Sequence, residues 1–398
     1  MADRDFLSWP FLEPRHHAWA EDVEAWAAAH AERLSEGDTD TAVRNLTRAM
    51  GEAGLLRIAV PEDGRLDVRS LCIARETLAR YSGLADFAFA MAGLGTGAVT
   101  LFGDAALRDA VLPAARAGTS LAAFALSEPE AGSDVAALAT TATRDGNAHW
   151  RIDGSKTWIS NGGIAGTYAV FARTGEAPGA RGLTAFLVPA DTPGLTIAER
   201  IEVSAPHPLA TLRFDGMRVP DSHRLGAPGE GFKVAMATLD VFRATVAAAA
   251  LGFARHALDL TVARATNRHL FGGPLFDQQM TQAAIAESAV DVETSALLVY
   301  RSAWLKDSGA PRVSREASMA KLHATEAAQR VADRCVQIHG GHGVVRDHPA
   351  ELLYREVRAL RVYEGASEVQ RIIIARAERD RAQAGGAQAG RDGTRGAA

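Results

Sequence analysis

The segment RVYEGASEVQRIIIAR, residues 361–376, sets one carboxylate, Glu364, among small and apolar residues ahead of a helical pattern. Ser367 followed three residues later by Gln370 matches a capping box, and Val369, Ile372, Ile373 and Ala377 recur at helical spacing. Gly365 permits a tight turn before that helix. Glu364 would then hang near the positive end of a helix in apolar surroundings, where the dipole favours the anion and desolvation opposes it. A carboxylate under such opposed pulls can act as a base near neutral pH. A surface glutamate on a loop would carry the same local pattern, so the rest of the chain must decide.

Two further stretches carry chemistry. AFALSEPEAGSDVAALATTA, residues 123–142, runs from a strand-like start through Ser127 and a Glu128-Pro129 turn into Gly132-Ser133-Asp134. Glycine and small hydroxyl residues let backbone N–H groups approach a ligand's oxygens or phosphates; an ordinary turn is the alternative. In TWISNGG, residues 157–163, Trp158 and Ser160 share one face of a strand. An indole beside a hydroxyl could pack on a flat heteroaromatic ring and bond its edge, or be a half-buried Trp in a sheet. Other signals are weak. GLGTGA, residues 93–98, lacks the preceding strand of a dinucleotide loop. His339 and His342 in HGGHG have no third metal ligand at usable spacing.

The elements that must position these residues change character twice. Residues from about Trp19 to Ala117 have helical periodicity, as in WAEDVEAWAAAHAERL and LDVRSLCIARETLARYS. From about Phe124 to Leu225 the period shifts toward two; HWRIDGSKTWIS is a candidate hairpin turning at Asp153-Gly154, and further strands follow without intervening helices. That order favours an antiparallel sheet or barrel. From Gly231 to about Ala377 three long helical stretches and the helix after Ser367 suggest a four-helix bundle. The fold class is α+β: an N-terminal helical domain (1–122), a central antiparallel β domain (123–228), a C-terminal four-helix bundle (229–378) and a disordered tail (379–398) poor in apolar residues.

The 398 residues suffice for two or three domains, and the net charge of −5 is spread along the chain without a basic block for nucleic acid or an anionic membrane. Two cysteines, Cys72 and Cys335, give neither a disulfide framework nor a metal site. No run approaches a membrane span and the N-terminus does not read as a signal peptide, so a cytoplasmic location is expected.

In order and approximate spacing, ALSEPEAGSD, GSKTWISNGG, NRHLFGGPLFDQQ, VQIHGGHGVV and YEGASEVQRIIIAR resemble the acyl-CoA dehydrogenases from about Val43 to Ala377. The resemblance implies FAD bound between the β domain and the bundle. Phe124, Leu126 and Ser127 would line the flavin, Trp158 would lie against its ring, and Ser160 would offer a hydroxyl to the reactive N5. Gly132 and Ser133 fall where the family contacts the pyrophosphate or the CoA arm. Arg268, Phe271, Gln279, Gln337 and Gly341 match contacts made to a neighbouring subunit's FAD, so a dimer or, more specifically, a homotetramer built as a dimer of dimers is implied. Arg268 also makes sense unaided, because a diphosphate needs a rigidly held cation. Ala366 and Glu368 fall at further FAD positions. Glu364 takes the place of the catalytic base, with Gly365 beside the substrate. Asp240 and Arg243 match positions near the pantetheine, or are an ion pair of the bundle.

The implied reaction converts an acyl-CoA, or an acyl thioester on a carrier protein, to its 2-enoyl product and passes electrons to an electron-transferring flavoprotein. An acyl-CoA oxidase or monooxygenase on the same fold, or a non-catalytic helical scaffold, are the alternatives. Two departures stand out. Ala366 replaces the usual Thr of the family, and Gly93, Gly95, Thr96 and Gly97 are small for a helix facing the acyl chain, which suggests a roomier pocket for a branched or cyclic acyl group.

Overall fold

A computed structural model describes residues 5–393, with 385–393 as backbone alone. The N-terminal domain contains α1 (Pro14–Leu34), α2 (Thr39–Glu52), the single turn α3 (Leu56–Ala59), α4 (Val68–Tyr81), α5 (Gly83–Phe102) and α6 (Ala105–Arg116). Short polar side chains start four of them. Asp38, Asp67, Ser82 and Asp104 each accept an otherwise unpaired backbone N–H of the first turn, at 2.9–3.2 Å.

The β domain is one sheet of β1 (Ala122–Ala125), β2 (Thr141–Asp145), β3 (His149–Ser160), β4 (Thr167–Arg173), β5 (Leu183–Pro189), β6 (Leu195–Ile201), β7 (Leu209–Pro220) and β8 (Arg224–Leu225). The order is β6-β7-β3-β2-β4-β5-β8 with β1 on β4. Pairing is antiparallel except where β1, and one residue of β2, run parallel to β4. The expected turn at Asp153-Gly154 lies instead inside the twelve-residue β3, at a register shift. The chain reverses between β2 and β3 at residues 146–148, where Gly146 has φ 67°. Gly154, at φ 148°, lies where a Cβ would come 2.6 Å from the Thr140 hydroxyl, so it serves close strand packing.

The C-terminal domain comprises α7 (Gly231–Asn267), α8 (Gln279–Asp307), α9 (Ser314–His339), α10 (Pro349–Leu360) and α11 (Ser367–Gly393), with a small ribbon of β9 (His269–Leu270) and β10 (Gly273–Pro274) after α7. The short α10 was not anticipated. Helix α7 packs against α4, α5, α8 and α9 at once. Its Ala247, Ala248, Ala249 and Ala250 are wholly buried, because methyl side chains let neighbours close in from every side. Helices α5 and α7 are each long and apolar enough to cross a bilayer, against the sequence expectation, but 89% and 83% of their most apolar windows are buried inside the protein. Helix α11 continues through Gly393, so the expected loss of regular structure from residue 379 does not hold for 379–393. Arg, Ala, Glu and Gln are good helix formers, and a polar helix lacks only a packing face. Residues 394–398 of that tail lie outside the described residues.

Candidate active site

Glu364 sits in the turn joining α10 to α11, at φ 51°, followed by Gly365 at φ 90°. Left-handed backbone is costly for a glutamate and persists only where its surroundings impose it. Here the Gly365 carbonyl accepts a hydrogen bond from Lys321 Nζ at 2.8 Å and another from Gln370 Nε2 at 2.8 Å. Lys321, on α9, has no exposed surface. A Cβ on Gly365 would come 2.6 Å from Gln370 Nε2, so glycine is required there on two counts. The anticipated capping box does not form. Ser367 is the first residue of α11 and donates to Glu326 Oε1 at 2.7 Å, while Gln370 bonds carbonyls of the turn. A tertiary acceptor on α9 outcompetes the local cap.

The result is a carboxylate with little to hold. Glu364 Oε2 is buried without a hydrogen-bond partner. Burial pushes its pKa up, against the pull of Arg75, Lys321 and Arg243. Burial likewise pushes the Lys321 ammonium down to about 8. The Glu364 backbone N–H has no acceptor among the described residues.

On the sheet, Thr157 N donates to Ser127 O at 3.0 Å, tying the loop after β1 to the end of β3. This brings Ser127 beside Trp158. Trp158 has φ 59° and is 59% exposed, at a bulge where β3 slips one residue against β7. Ile159 is buried, while Ser160 is half-buried. Leu126 is buried, and Phe124 packs on Phe171 with ring centroids 4.9 Å apart. Gly132 and Ser133 are exposed, and a Cβ on Gly132 would meet nothing within 4 Å. Behind this loop Lys156, fully buried, donates to Leu126 O at 2.9 Å and Glu128 Oε1 at 2.8 Å. Glu128 also accepts the N–H groups of Ala139 at 2.6 Å and Thr140 at 3.0 Å. Burial alone would raise the Glu128 carboxyl, but Lys156 and these bonds hold it below its ordinary value.

Asp240 and Arg243 form an ion pair at 2.8 Å on α7, and Asp240 also accepts the Ser314 hydroxyl at 2.7 Å. Arg243 is buried with its Nε unpartnered. The glycines of α5 do not open a roomier wall. A Cβ on Gly93 would lie 2.8 Å from the Phe242 ring, one on Gly97 2.8 Å from Thr238, and one on Gly95 2.5 Å from Ala122 O. Small residues here admit α7 and β1 to close contact, and Phe242 fills the notch.

Arg268, Phe271, Gln279, Gln337 and Gly341 gather elsewhere, at the end of the bundle where α7 and α9 finish and α8 begins. All five are exposed, Phe271 at 92% with φ 51°. Arg243, beside Glu364, and Arg268 lie 25 residues apart on α7 and its C-cap, roughly 38 Å along a helix axis. Ala366 is half-buried with its carbonyl accepting from Gln370 N at 3.1 Å, and Glu368 is exposed beside Arg371.

These residues fit a flavin. The outward indole at Trp158, the roomy Gly132 turn and the unpartnered Glu364 oxygen offer an aromatic face, N–H groups for an anion and a proton acceptor. Sequence reading missed Lys321, Lys156, Glu128 and Arg75. The two lysines were detectable, since Lys156 keeps the inward parity of Trp150 and Ile152, and Lys321 falls in the stripe Ala317, Ala320, Ala324, Ala328.

The helical–β–helical order and a half-buried glutamate whose Oε2 has no hydrogen-bond partner fit a dehydrogenase of the flavoprotein class. Three family models match in succession: the acyl-CoA dehydrogenase N-terminal domain over residues 13–119, the middle domain over 123–217 and the C-terminal domain over 229–378. The short-chain specific acyl-CoA dehydrogenase of Rattus norvegicus mitochondria is 41% identical over 339 residues, covering 82% of this chain and 81% of the relative. The butyryl-CoA dehydrogenase structure from Megasphaera elsdenii superposes with a TM-score of 0.84 at 31% identity, covering 92% and 98% of the two chains. A glutaryl-CoA dehydrogenase from Mycobacterium smegmatis in complex with FADH2 gives 0.84 at 28% identity, covering 92% and 95%. The chain belongs to the acyl-CoA dehydrogenase family, and it is an enzyme of that kind.

Proposed function

We propose that the protein dehydrogenates a short-chain acyl-CoA between its α- and β-carbons, with Glu364 as the base and FAD as the cofactor. The observation that carries this reading is Glu364 itself, whose Oε2 is buried and unpartnered on a left-handed turn. The α-proton of a thioester is too weakly acidic for a carboxylate in water, so the developing negative charge on the carbonyl oxygen needs donors. The free N–H of Glu364 is one such donor, on the same residue as the base. Desolvation raises its pKa and so makes the carboxylate more basic, while Arg75, Lys321 and Arg243 pull toward ionisation. FAD would supply the acceptor for the hydride that the β-carbon loses. Phe124, Leu126, Ser127, Trp158 and Ser160 would hold its ring. The roughly 38 Å along α7 between Arg243 and Arg268 supports a cofactor shared between subunits, with Arg268, Phe271, Gln279, Gln337 and Gly341 serving the neighbour's site. A homotetramer in the cytoplasm, delivering electrons to an electron-transferring flavoprotein, completes the proposal.

Purified protein should be yellow, and anaerobic butyryl-CoA should bleach the flavin band and reduce a dye acceptor. Peroxide formation under air at the dye-coupled rate would make the enzyme an oxidase instead. Protein that binds no flavin would reduce it to a scaffold.

A further inference from the structure

Beyond the reacting turn lies a small cavity that proton abstraction does not use. Its walls include Arg75, Asp86, His207, Glu356 and Tyr363, and it has about 20 Å³ open to a water-sized sphere, one molecule's worth. Tyr363 adjoins Glu364 in sequence, and Arg75 and Asp86 both act on the Glu364 carboxylate. Cavity and reacting turn are therefore neighbours.

The charges on this wall cancel. Arg75 is held by Asp86 through two hydrogen bonds of 2.8 and 2.7 Å and donates its remaining arm to Thr245 at 3.0 Å. Glu356 and His207 are left over. Their nearest atoms are 3.6 Å apart, beyond a hydrogen bond, and His207 Nε2 is buried without a partner. The His207 ring is stacked on Phe87 with centroids 4.7 Å apart, so it is not free to turn away. Burial pushes the Glu356 carboxyl up to about 8 and the His207 imidazole down to about 4, so both are uncharged at neutral pH. The chain also makes room for this carboxyl, since a Cβ on Gly83 would lie 2.4 Å from Glu356 Cδ. Leaving the His207 nitrogen buried without a partner is costly, and apolar side chains would close the space at lower cost. With the α5 notch filled by Phe242, this cavity is polar space beside the turn, sized for one water or for one substituent oxygen in its place.

We propose that Glu356 and His207 form a subsite for the far end of a short acyl group that carries an uncharged hydrogen-bonding substituent, a hydroxyl or a carbonyl oxygen. The proposal rests on the dehydrogenase reading. Glu356 donates its O–H to the substituent's oxygen, and His207 Nε2 accepts from a hydroxyl. An alkyl end satisfies neither group, and a carboxylate finds its cation, Arg75, already taken.

The test uses isosteric pairs of thioesters in the acceptor-coupled assay: 5-hydroxypentanoyl-CoA against hexanoyl-CoA, and 4-oxopentanoyl-CoA against 4-methylpentanoyl-CoA. The oxygenated member of at least one pair should have kcat/KM higher by about tenfold or more. Glu356→Leu and His207→Phe should abolish that preference or reverse it, whereas Glu356→Gln, which keeps a neutral hydrogen-bonding group, should retain it. The wild-type comparison stands even where a variant does not fold. Equal or better turnover of both alkyl members by the wild type overturns the subsite, with a structural water as the cavity's occupant, and leaves the dehydrogenase reading intact. A flavin-loaded enzyme that turns over no acyl thioester overturns both.

Discussion

The molecule buries two lysines beside glutamates, and the two carboxyls are shifted in opposite directions. At the sheet, Lys156 bonds the carboxylate of Glu128 directly, and two backbone N–H groups complete its shell, so Glu128 is held ionised. At the bundle, Lys321 gives its hydrogen bond to the Gly365 carbonyl instead. Glu364 feels the ammonium's charge without its hydrogen bond, and burial wins. Both lysines are pushed to about 8 by the same desolvation. What differs is where the N–H points. A carboxylate saturated with donors is a structural brace; one left with a bare oxygen can still accept a proton.

The sharpest way to break this comparison is Glu364→Gln. It should lower kcat by roughly 10²–10⁴-fold, the usual contribution of a general base, while the flavin absorbance and the melting temperature are kept, because a desolvated charge has been removed. Near-wild-type turnover would place the base elsewhere. Next comes Lys156→Met, which strands Glu128 in the interior and should cost about 3–5 kcal/mol in urea unfolding. Adding Glu128→Leu should return part of that loss; a double variant no better than the single would mean the two are not coupled. Lys321→Met should act on the pH profile. Glu364 must be ionised to act, and the lost ammonium was one of the charges favouring ionisation. The acid limb of kcat/KM should therefore move upward, by about one pH unit. Lys156→Met should leave that limb unmoved, and equal shifts in both variants would erase the distinction. The smallest effect asks whether the wall near the turn is as closed as the packing indicates. Gly97→Ala should destabilise by about 1 kcal/mol through contact with Thr238 and Phe242. No change in stability would reopen the roomy pocket.

The alternation of period and the spacing of motifs made the helical–β–helical order readable, because burying an apolar stripe or face is a local pattern. The errors share a cause in tertiary competition. Ser367 and Gln370 have capping-box chemistry, yet Glu326 on α9 and the carbonyls of the turn claim their side chains. Asp153-Gly154 is turn-prone, but Thr140 needs the glycine for close approach within a continuous strand. The α5 glycines read as empty space because the ring that fills it, Phe242, lies more than a hundred residues away. Of the site, Glu364 and its glycine stood out in one short segment. The ammonium groups of Lys156 and Lys321 did not, since a lysine within a buried stripe is ordinarily assigned to a surface, and only the paired element supplies its acceptor. His207 and Glu356 come from the β domain and α10, and no sequence spacing links them.

The length of α7 has a consequence for handling the protein. On the proposal that each FAD is clamped by two chains, a solitary subunit holds half of two different sites and the whole of none. Dilution would then bleach the enzyme, the yellow fading faster than the protein concentration falls, so that colour per subunit becomes a meter of association.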